Sequence, residues 1–342
     1  MATVADVAKQ AGVSVSTAAR VLSGNGYASD ETRRVVLEAA RELGYVPNQI
    51  ARSLRTRRSM MIGLLIGDVE NAFYSTIASN VEAVAKAAGY HVLLCNSNDD
   101  PDFEREYLNL LDGMRLDGII VTPTSRNRSQ LTRLLKKDVA IIQVDRKVAG
   151  LAADAILVDN EAGAHAAVAH LIAAGHEHIG ILPGDLDVPT ARHRLTGYER
   201  ALEEAGIPRR EQLVKAGSFH REHAIEDATD LIRATPAPTA IFAANNILAE
   251  ATLMALADLG MTVPRDLSLV AFDDVQWMAM VDPPLTTVRQ PAADMARSAA
   301  ELMLRRLRED GEGPPSTVVF RTELLERGSV APIRKERAAS TR

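Results

Sequence analysis

Over the first 45 residues apolar side chains recur every three or four positions, in three short bursts. Thr3 and Asp6 have the spacing of a helix N-cap and a first-turn partner that reaches back to it, and Val4, Val7, Ala8 and Ala11 then share one face. Gly12 predicts the end of that helix. Ser14 predicts the start of a second, with Val15, Ala18, Ala19, Val21 and Leu22 as its apolar positions and Gly24-Asn25-Gly26 closing it. Two helices joined by about three residues including a glycine carry the helix-turn-helix signature. Ser29 predicts the cap of a third helix, whose stripe is Val35, Val36, Ala39, Ala40 and Leu43, ending at Gly44.

The segment "PNQIARSLRTRRS" (47–59) sets two apolar anchors, Ala51 and Leu54, among four arginines. It is too short and polar to be stably helical alone, and reads as a hinge that orders when an anion is present. From Met60 the period changes. "MMIGLLIG", "HVLLCN", "GIIVTP", "AIIQVD", "AILVD", "IGILPG", "TAIFAAN" and "LSLVAFDD" predict short buried strands. Amphipathic stretches at 76–88, 102–114, 162–174, 190–205 and 247–259 predict helices between them. Alternation of this kind implies parallel sheets covered on both faces. The expectation is an all-α helix-turn-helix head (1–46), a hinge (47–59) and an α/β body of two lobes (60–332). Six strands are expected by about residue 160, so the lobes fall at roughly 60–160 and 161–332 with the chain crossing between them, and 333–342 is expected to be a polar tail.

Composition narrows the class. With 46% hydrophobic and 25% charged residues the chain is of ordinary soluble, globular type. The single cysteine, Cys95, excludes an internal disulfide, argues for a reducing compartment and reads as a buried apolar residue. There is no basic segment followed by an apolar run at the N-terminus and no apolar stretch of the roughly 20 residues that cross a bilayer, so a cytoplasmic protein without a membrane partner is expected. Charge is divided unevenly. Residues 1–58 hold nine basic and five acidic side chains, a net +4; with the whole chain at −6, the remainder carries −10. A basic head on an acidic body suits a polyanionic partner for the head, although a solvated helix surface has the same composition.

Several chemistries find no support. No G-x-G-x-x-G or G-x-x-x-x-G-K-[ST] loop follows a strand and no G-x-S-x-G elbow is present. His165 and His170 are five apart on a predicted helix, and His176 and His178 lie in a turn, which is poor spacing for a metal. No cofactor, metal or catalytic residue is expected.

"VADVAKQAGVSVSTAARVLSG", "GYVPNQIARSL" and "VAFDDVQWMAMVDPPLTTVRQP" closely resemble the lactose-repressor family of bacterial transcriptional regulators, over nearly the whole chain from Thr3 to about Pro332. The resemblance implies a body of two lobes like periplasmic sugar-binding proteins, a homodimer, a palindromic DNA operator and a small effector between the lobes. The function expected is a sequence-specific regulator, a repressor controlled by a sugar or sugar acid. A solute-binding protein without DNA binding and an α/β enzyme are the rivals.

The DNA-binding set so implied is Thr3, Val15, Ser16, Thr17 and Arg20 in the head, and Asn48, Ala51, Arg52, Ser53, Leu54 and Arg55 in the hinge. With the second helix in the major groove, Val15 can meet a thymine methyl, and Arg20 either a guanine edge or a phosphate. Leu54 is either a wedge in the minor groove or a linker residue docked on the body. Family members carry Thr-Val-Ser-Arg where this chain has Thr17-Ala18-Ala19-Arg20, so a hydroxyl for the backbone is missing at Ala19. At the carboxyl ends of the strands the implied effector set is Asn71, Phe73, Tyr74, Arg146, Arg194, Asn245, Asp273, Trp277 and Gln290. Phe73 and Trp277 would stack on a sugar ring and the others bind its oxygens, or the carboxylates and amides simply cap the following helices. Ala72 and Asn246 stand where the family has Pro and Asp. The chain's end, "SVAPIRKERAASTR", has no leucine heptad, which favours a dimer over a tetramer.

Overall fold

The computed structural model describes residues 2–22, 27–45, 58–217, 221–308 and 313–333. It forms two compact units, Met1–Ser59 and Met60–Arg342. The hinge residues expected to meet DNA, Asn48, Ala51, Arg52, Ser53, Leu54 and Arg55, the Gly24-Asn25-Gly26 stop and the tail from 334 lie outside the described residues.

In the first unit the described helices are α1 (Val4–Gln10), α2 (Val15–Leu22) and α3 (Asp30–Glu42). The predicted cap forms: the Thr3 hydroxyl oxygen accepts from the Asp6 amide and the Asp6 carboxylate accepts from the Thr3 amide at 2.8 Å. Gly12 follows α1 with φ of 64°, a left-handed turn that favours glycine. Ser14 accepts from Thr17 N at 3.1 Å and Ser29 from Thr32 N at 3.2 Å, so α2 and α3 start where the sequence marked. Their apolar stripes meet in one core of Val7, Ala8, Ala18, Val21, Val36, Ala39 and Ala40.

The second unit is two six-stranded sheets. The first-lobe strands are β1 (Met61–Ile66), β2 (His91–Asn96), β3 (Gly118–Val121), β4 (Ala140–Val144) and β5 (Asp154–Val158), and β11 (Thr317–Phe320) joins them in the order β11-β5-β4-β3-β1-β2, all parallel. Among the described residues five strands, not six, therefore precede residue 160; the sixth of this sheet returns from the far end of the chain. The second sheet runs β12 (Glu323–Leu325), β10 (Thr286–Arg289), β9 (Ser268–Phe272), β8 (Ala240–Ala243), β6 (Ile179–Gly184), β7 (Val214–Ala216), and only its β10–β12 pair is antiparallel.

Side chains alternate across β1. Ile62, Leu64 and Ile66 pack beneath α4 (Ala72–Ala87) and α11 (Ala292–Arg306), while Leu65 packs beneath α5 (Pro101–Met114) and α6 (Arg128–Leu135). Residues 292–308 and 313–320 thus belong to the first lobe, so the expected boundary at 161 is crossed twice more near the end of the chain. In the second lobe α7 (Asn160–Ala173) and α8 (Pro189–Glu204) cover one face, and α9 (Arg221–Ile232) and α10 (Asn246–Asp258) the other. Several helices begin earlier than the apolar period alone predicts. Asn71 caps α4, so the helix starts at Ala72 rather than at 76.

Candidate functional site

Two sites emerge, one in each unit. In the head, Ala18 and Val21 turn inward from α2 while Val15 is 53% exposed, with Ser16 and Arg20 exposed beside it. An exposed valine flanked by a hydroxyl and a guanidinium suits contact with base edges. Three hydroxyls of the expected set are already engaged. Thr3 donates to Asp6 at 2.7 Å, and Ser14 shares a hydrogen with Ser16 at 2.9 Å and with Thr17 at 2.8 Å, so all three lie in the hydrogen bonding that starts the helices.

In the body, the strand ends of the two lobes face each other across a narrow cleft with about 40 Å³ of free space. Asn71, Phe73, Tyr74, Arg146, Arg194, Asn245, Asp273 and Gln290 all line it. Trp277 does not. It sits in a 3-10 turn, Gln276–Ala279, and packs against the second lobe's core, because the turn after Asp273 folds the indole back onto that core. Asp145, the strand-end neighbour of Arg146 that the sequence also puts at the cleft, lines it too, whereas Asp68, Asp99, Thr190 and Ile247 line it and are outside the expected set. Asp145 stands beside Arg146 at the end of β4. Asp99 is three residues past β2, and the strand-end rule that found Asn71 applies to it equally.

The first-lobe wall is an ionic network in which only the Arg146 Nε, 3.4 Å from Asp145 Oδ2, donates no hydrogen bond. Arg146, 5% exposed, gives Nη1 to Asp99 Oδ1 at 2.6 Å and Nη2 to Asp99 Oδ2 at 3.2 Å, and donates also to the Tyr74 hydroxyl at 3.0 Å. Tyr74 in turn donates to Asp145 Oδ2 at 3.0 Å. Burial pushes the Asp145 carboxyl up, against the pull of Arg146 and Arg194. For Arg146 burial works the other way and is outweighed by Tyr74, Asp99 and Asp145, which hold it charged. Burial raises the Tyr74 hydroxyl well above its ordinary value, so it donates as a neutral phenol. A Cβ on Gly67 would lie 2.4 Å from Asp99 Oδ1; the glycine leaves room for that carboxylate. Phe73 meets Tyr74 edge to face, with centroids 5.2 Å apart.

The second-lobe wall is built from helix caps. Asn245 accepts from Leu248 N at 2.8 Å and so starts α10. Asp273 accepts from Asn246 N at 3.1 Å and from Gln290 Nε2 at 2.5 Å. Gln290 is 8% exposed and its Oε1 accepts no hydrogen bond. Arg194 lies 3.7 Å over the Phe272 ring, donates Nε to Asn160 at 2.8 Å and Nη1 to the Ala244 carbonyl. Burial lowers its pKa, opposed by Asp273 and Asp145, and a guanidinium stays charged in a protein. One bond joins the walls directly: Asn246 Nδ2 donates to Asn71 Oδ1 at 2.8 Å, using the asparagine that departs from the family pattern.

Asn98, Asp99, Asp145 and Asp273 all have positive φ, between 53° and 74°. Such residues cost about 1–3 kcal/mol each and gather at binding sites. Elsewhere, His165 contacts Glu204 at 2.7 Å, and His176 is held by Thr239 and the Ala331 carbonyl. Among the described residues no group of three His, Cys, Asp or Glu could hold a metal, and no helix is long and apolar enough to cross a membrane.

Residues 3–48 match the model of bacterial regulatory proteins of the lacI family, and residues 168–330 match a periplasmic binding protein-like domain. The chain is 32% identical to the HTH-type transcriptional repressor PurR of Actinobacillus pleuropneumoniae serotype 3 (strain JL03), over 98% of this chain and all of that one. Its fold matches the transcriptional regulator CelR in complex with cellobiose (TM-score 0.73, 28% identity, covering 96% of this chain and 100% of that one). It also matches a LacI family regulator from Enterococcus faecium with bound ribose (TM-score 0.73, 26% identity, 80% of this chain and 100% of that one). A capped helix-turn-helix head, a two-lobed body and similarity to a repressor along its full length have one reading: the chain belongs to the lacI family of DNA-binding transcriptional regulators.

Proposed function

We propose that the protein is a repressor whose affinity for a palindromic operator is set by a neutral sugar held between the lobes, acting as a homodimer in the cytoplasm. The exposed group Val15, Ser16 and Arg20, on a helix whose other face is buried, carries the DNA half of the reading. Its natural docking is α2 in the major groove, where Val15 meets a thymine methyl and Arg20 a guanine O6 and N7. One head reads few base pairs, and a second copy doubles the contacts.

The ligand half rests on the Gln290 Oε1 acceptor. A buried acceptor without a donor is costly, and a sugar hydroxyl beside it would supply one. Phe73 offers an aromatic surface for the apolar side of the ring. Charge selects a neutral occupant over an acid. Arg146 is matched to Asp99 and Asp145, Arg194 already serves Asn160 and Ala244, and Asp68 and Asp273 add further negative charge. A carboxylate ligand would meet carboxylates before it met an open guanidinium. Cellobiose in CelR and ribose in the Enterococcus faecium regulator, both neutral, agree with this choice.

Gel-shift titration of DNA flanking the protein's own gene tests the DNA half. Sequence-specific binding that Arg20→Ala weakens is the expected result. Equal affinity for operator and random DNA would overturn it.

A further inference from the structure

The cleft continues past Arg146. A second, roomier chamber of about 190 Å³ shares Asp99 and Arg146 with the first, and lies between Thr124, Ser125 and Arg126 of one lobe and Asp185, Asp187 and Pro189 of the other. The ionic pair therefore stands as a partition between two polar spaces arranged in line.

The first-lobe wall of this chamber is fixed from behind. Glu104, wholly buried, accepts from Thr124 N at 2.7 Å, and Asn127, 2% exposed, donates to the Pro101 carbonyl at 2.6 Å and to the Thr124 hydroxyl at 3.4 Å. Taking a carboxylate out of water to hold one loop is expensive, so the position of residues 123–126 is set by more than chain connectivity. Opposite, Asp185 Oδ1 accepts from Asp187 N at 2.8 Å in a tight turn that leads into α8. Arg126 and Asp187 meet across the gap at 2.9 Å with 68% and 72% of their side chains exposed. An exposed pair of this kind contributes little and gives way readily.

The lining mixes hydroxyls (Thr124, Ser125) and an acceptor (Asp185) with three proline rings, Pro101, Pro123 and Pro189. That combination suits a second sugar ring, which has hydroxyls at its edge and C–H groups on its faces. We infer that this chamber is a second subsite, so that the ligand is a neutral two-ring sugar spanning the Arg146–Asp99 partition with its first ring against Phe73. The inference rests on the neutral-sugar reading of the first chamber.

Calorimetric titration of the full-length protein tests it, with maltose, cellobiose, trehalose, sucrose and lactose as two-ring probes and glucose, galactose, fructose and ribose as one-ring probes. A two-ring sugar should bind more tightly than any one-ring sugar. Ser125→Trp, which fills the second chamber, should abolish that advantage while leaving one-ring binding in place. Asp185→Ala, a truncation of an exposed side chain, should weaken the two-ring sugar by about tenfold, as expected for one hydrogen bond to a charged acceptor. A one-ring sugar that binds as tightly as every disaccharide, or two-ring binding indifferent to both substitutions, overturns the second subsite and leaves the first standing. Failure of every sugar to bind overturns both readings.

Discussion

In the head, the side chains that α2 turns outward and the side chains that pack the core are different sets. Val15, Ser16 and Arg20 are exposed, and the described core beneath them is entirely aliphatic. In the cleft the two sets coincide. Arg146, Asp145, Arg194 and Asp273 are each no more than 6% exposed, and their partners are largely one another and the caps of nearby helices. DNA can be read by an outward surface laid on a finished core. A small neutral ligand has to be enclosed, so its binding groups must be buried, and a buried charge needs a partner whether or not the ligand is present. Substitutions in the cleft should therefore cost stability, and those on α2 should not.

The contrast is sharpest at Arg146. Arg146→Ala leaves Asp99 and Asp145 without their cation and should destabilise the body by about 3–5 kcal/mol in denaturant unfolding, the usual cost of breaking a buried ion pair from one side. A loss below about 1 kcal/mol would mean that the network is open to water. The bond between the walls comes next. Asn71→Ala removes both the cap of α4 and the bond to Asn246, for about 2 kcal/mol, whereas Asn246→Ala removes the bond alone, for about 1 kcal/mol. Equal losses would show that the cap is worth nothing or that the two bonds act as one.

A smaller effect depends on pH. Burial lowers the pKa of His176 below its ordinary 6.5, opposed by the Ala331 carbonyl, so the native state binds fewer protons there than the unfolded chain. Its contribution is present above pH 6.5 and is lost as the pH falls through the folded value. The melting temperature should decline between pH 6.5 and 5, and His176→Asn should flatten that decline. At the low end stand Val15→Ala and Arg20→Ala, which should change stability by no more than about 0.5 kcal/mol while costing operator affinity about 1–3 kcal/mol each. A marked fall in melting temperature for either would erase the distinction between head and cleft.

The head was legible because its signals are local. The Thr3–Asp6 cap and the Ser14 and Ser29 starts are written within three residues of each other. Cleft residues were legible as positions, since strand ends mark where α/β sheets open, but their partners were not. Asn71 and Asn246 meet across 175 positions, and no period in the sequence links them. Asp99 was passed over because "NSNDDPD" has the composition of an ordinary turn, and its role depends on left-handed backbone at Asn98 and Asp99. The absence of β11 from the expected strands has the same origin. "TVVF" is largely exposed and shows no alternation, and nothing in it states which sheet it joins. Trp277 enters the expected set through its position in the family motif, although the turn after Asp273 folds its indole back onto the second lobe's core.

On the proposed reading a sugar enclosed by the cleft acts on DNA read by the head, and that coupling can be measured by fluorescence anisotropy of labelled operator DNA. The measurement compares parent protein and Arg194→Ala, with and without saturating concentrations of the sugar that binds best. For the parent, operator affinity should change by about 5- to 150-fold, the usual span of coupling between two sites, in whichever direction the sugar acts. For Arg194→Ala, operator affinity without sugar should stay near the parent's and the response should vanish. Operator affinity indifferent to a sugar that demonstrably binds the parent, or a full response in Arg194→Ala at unchanged sugar affinity, would contradict the account.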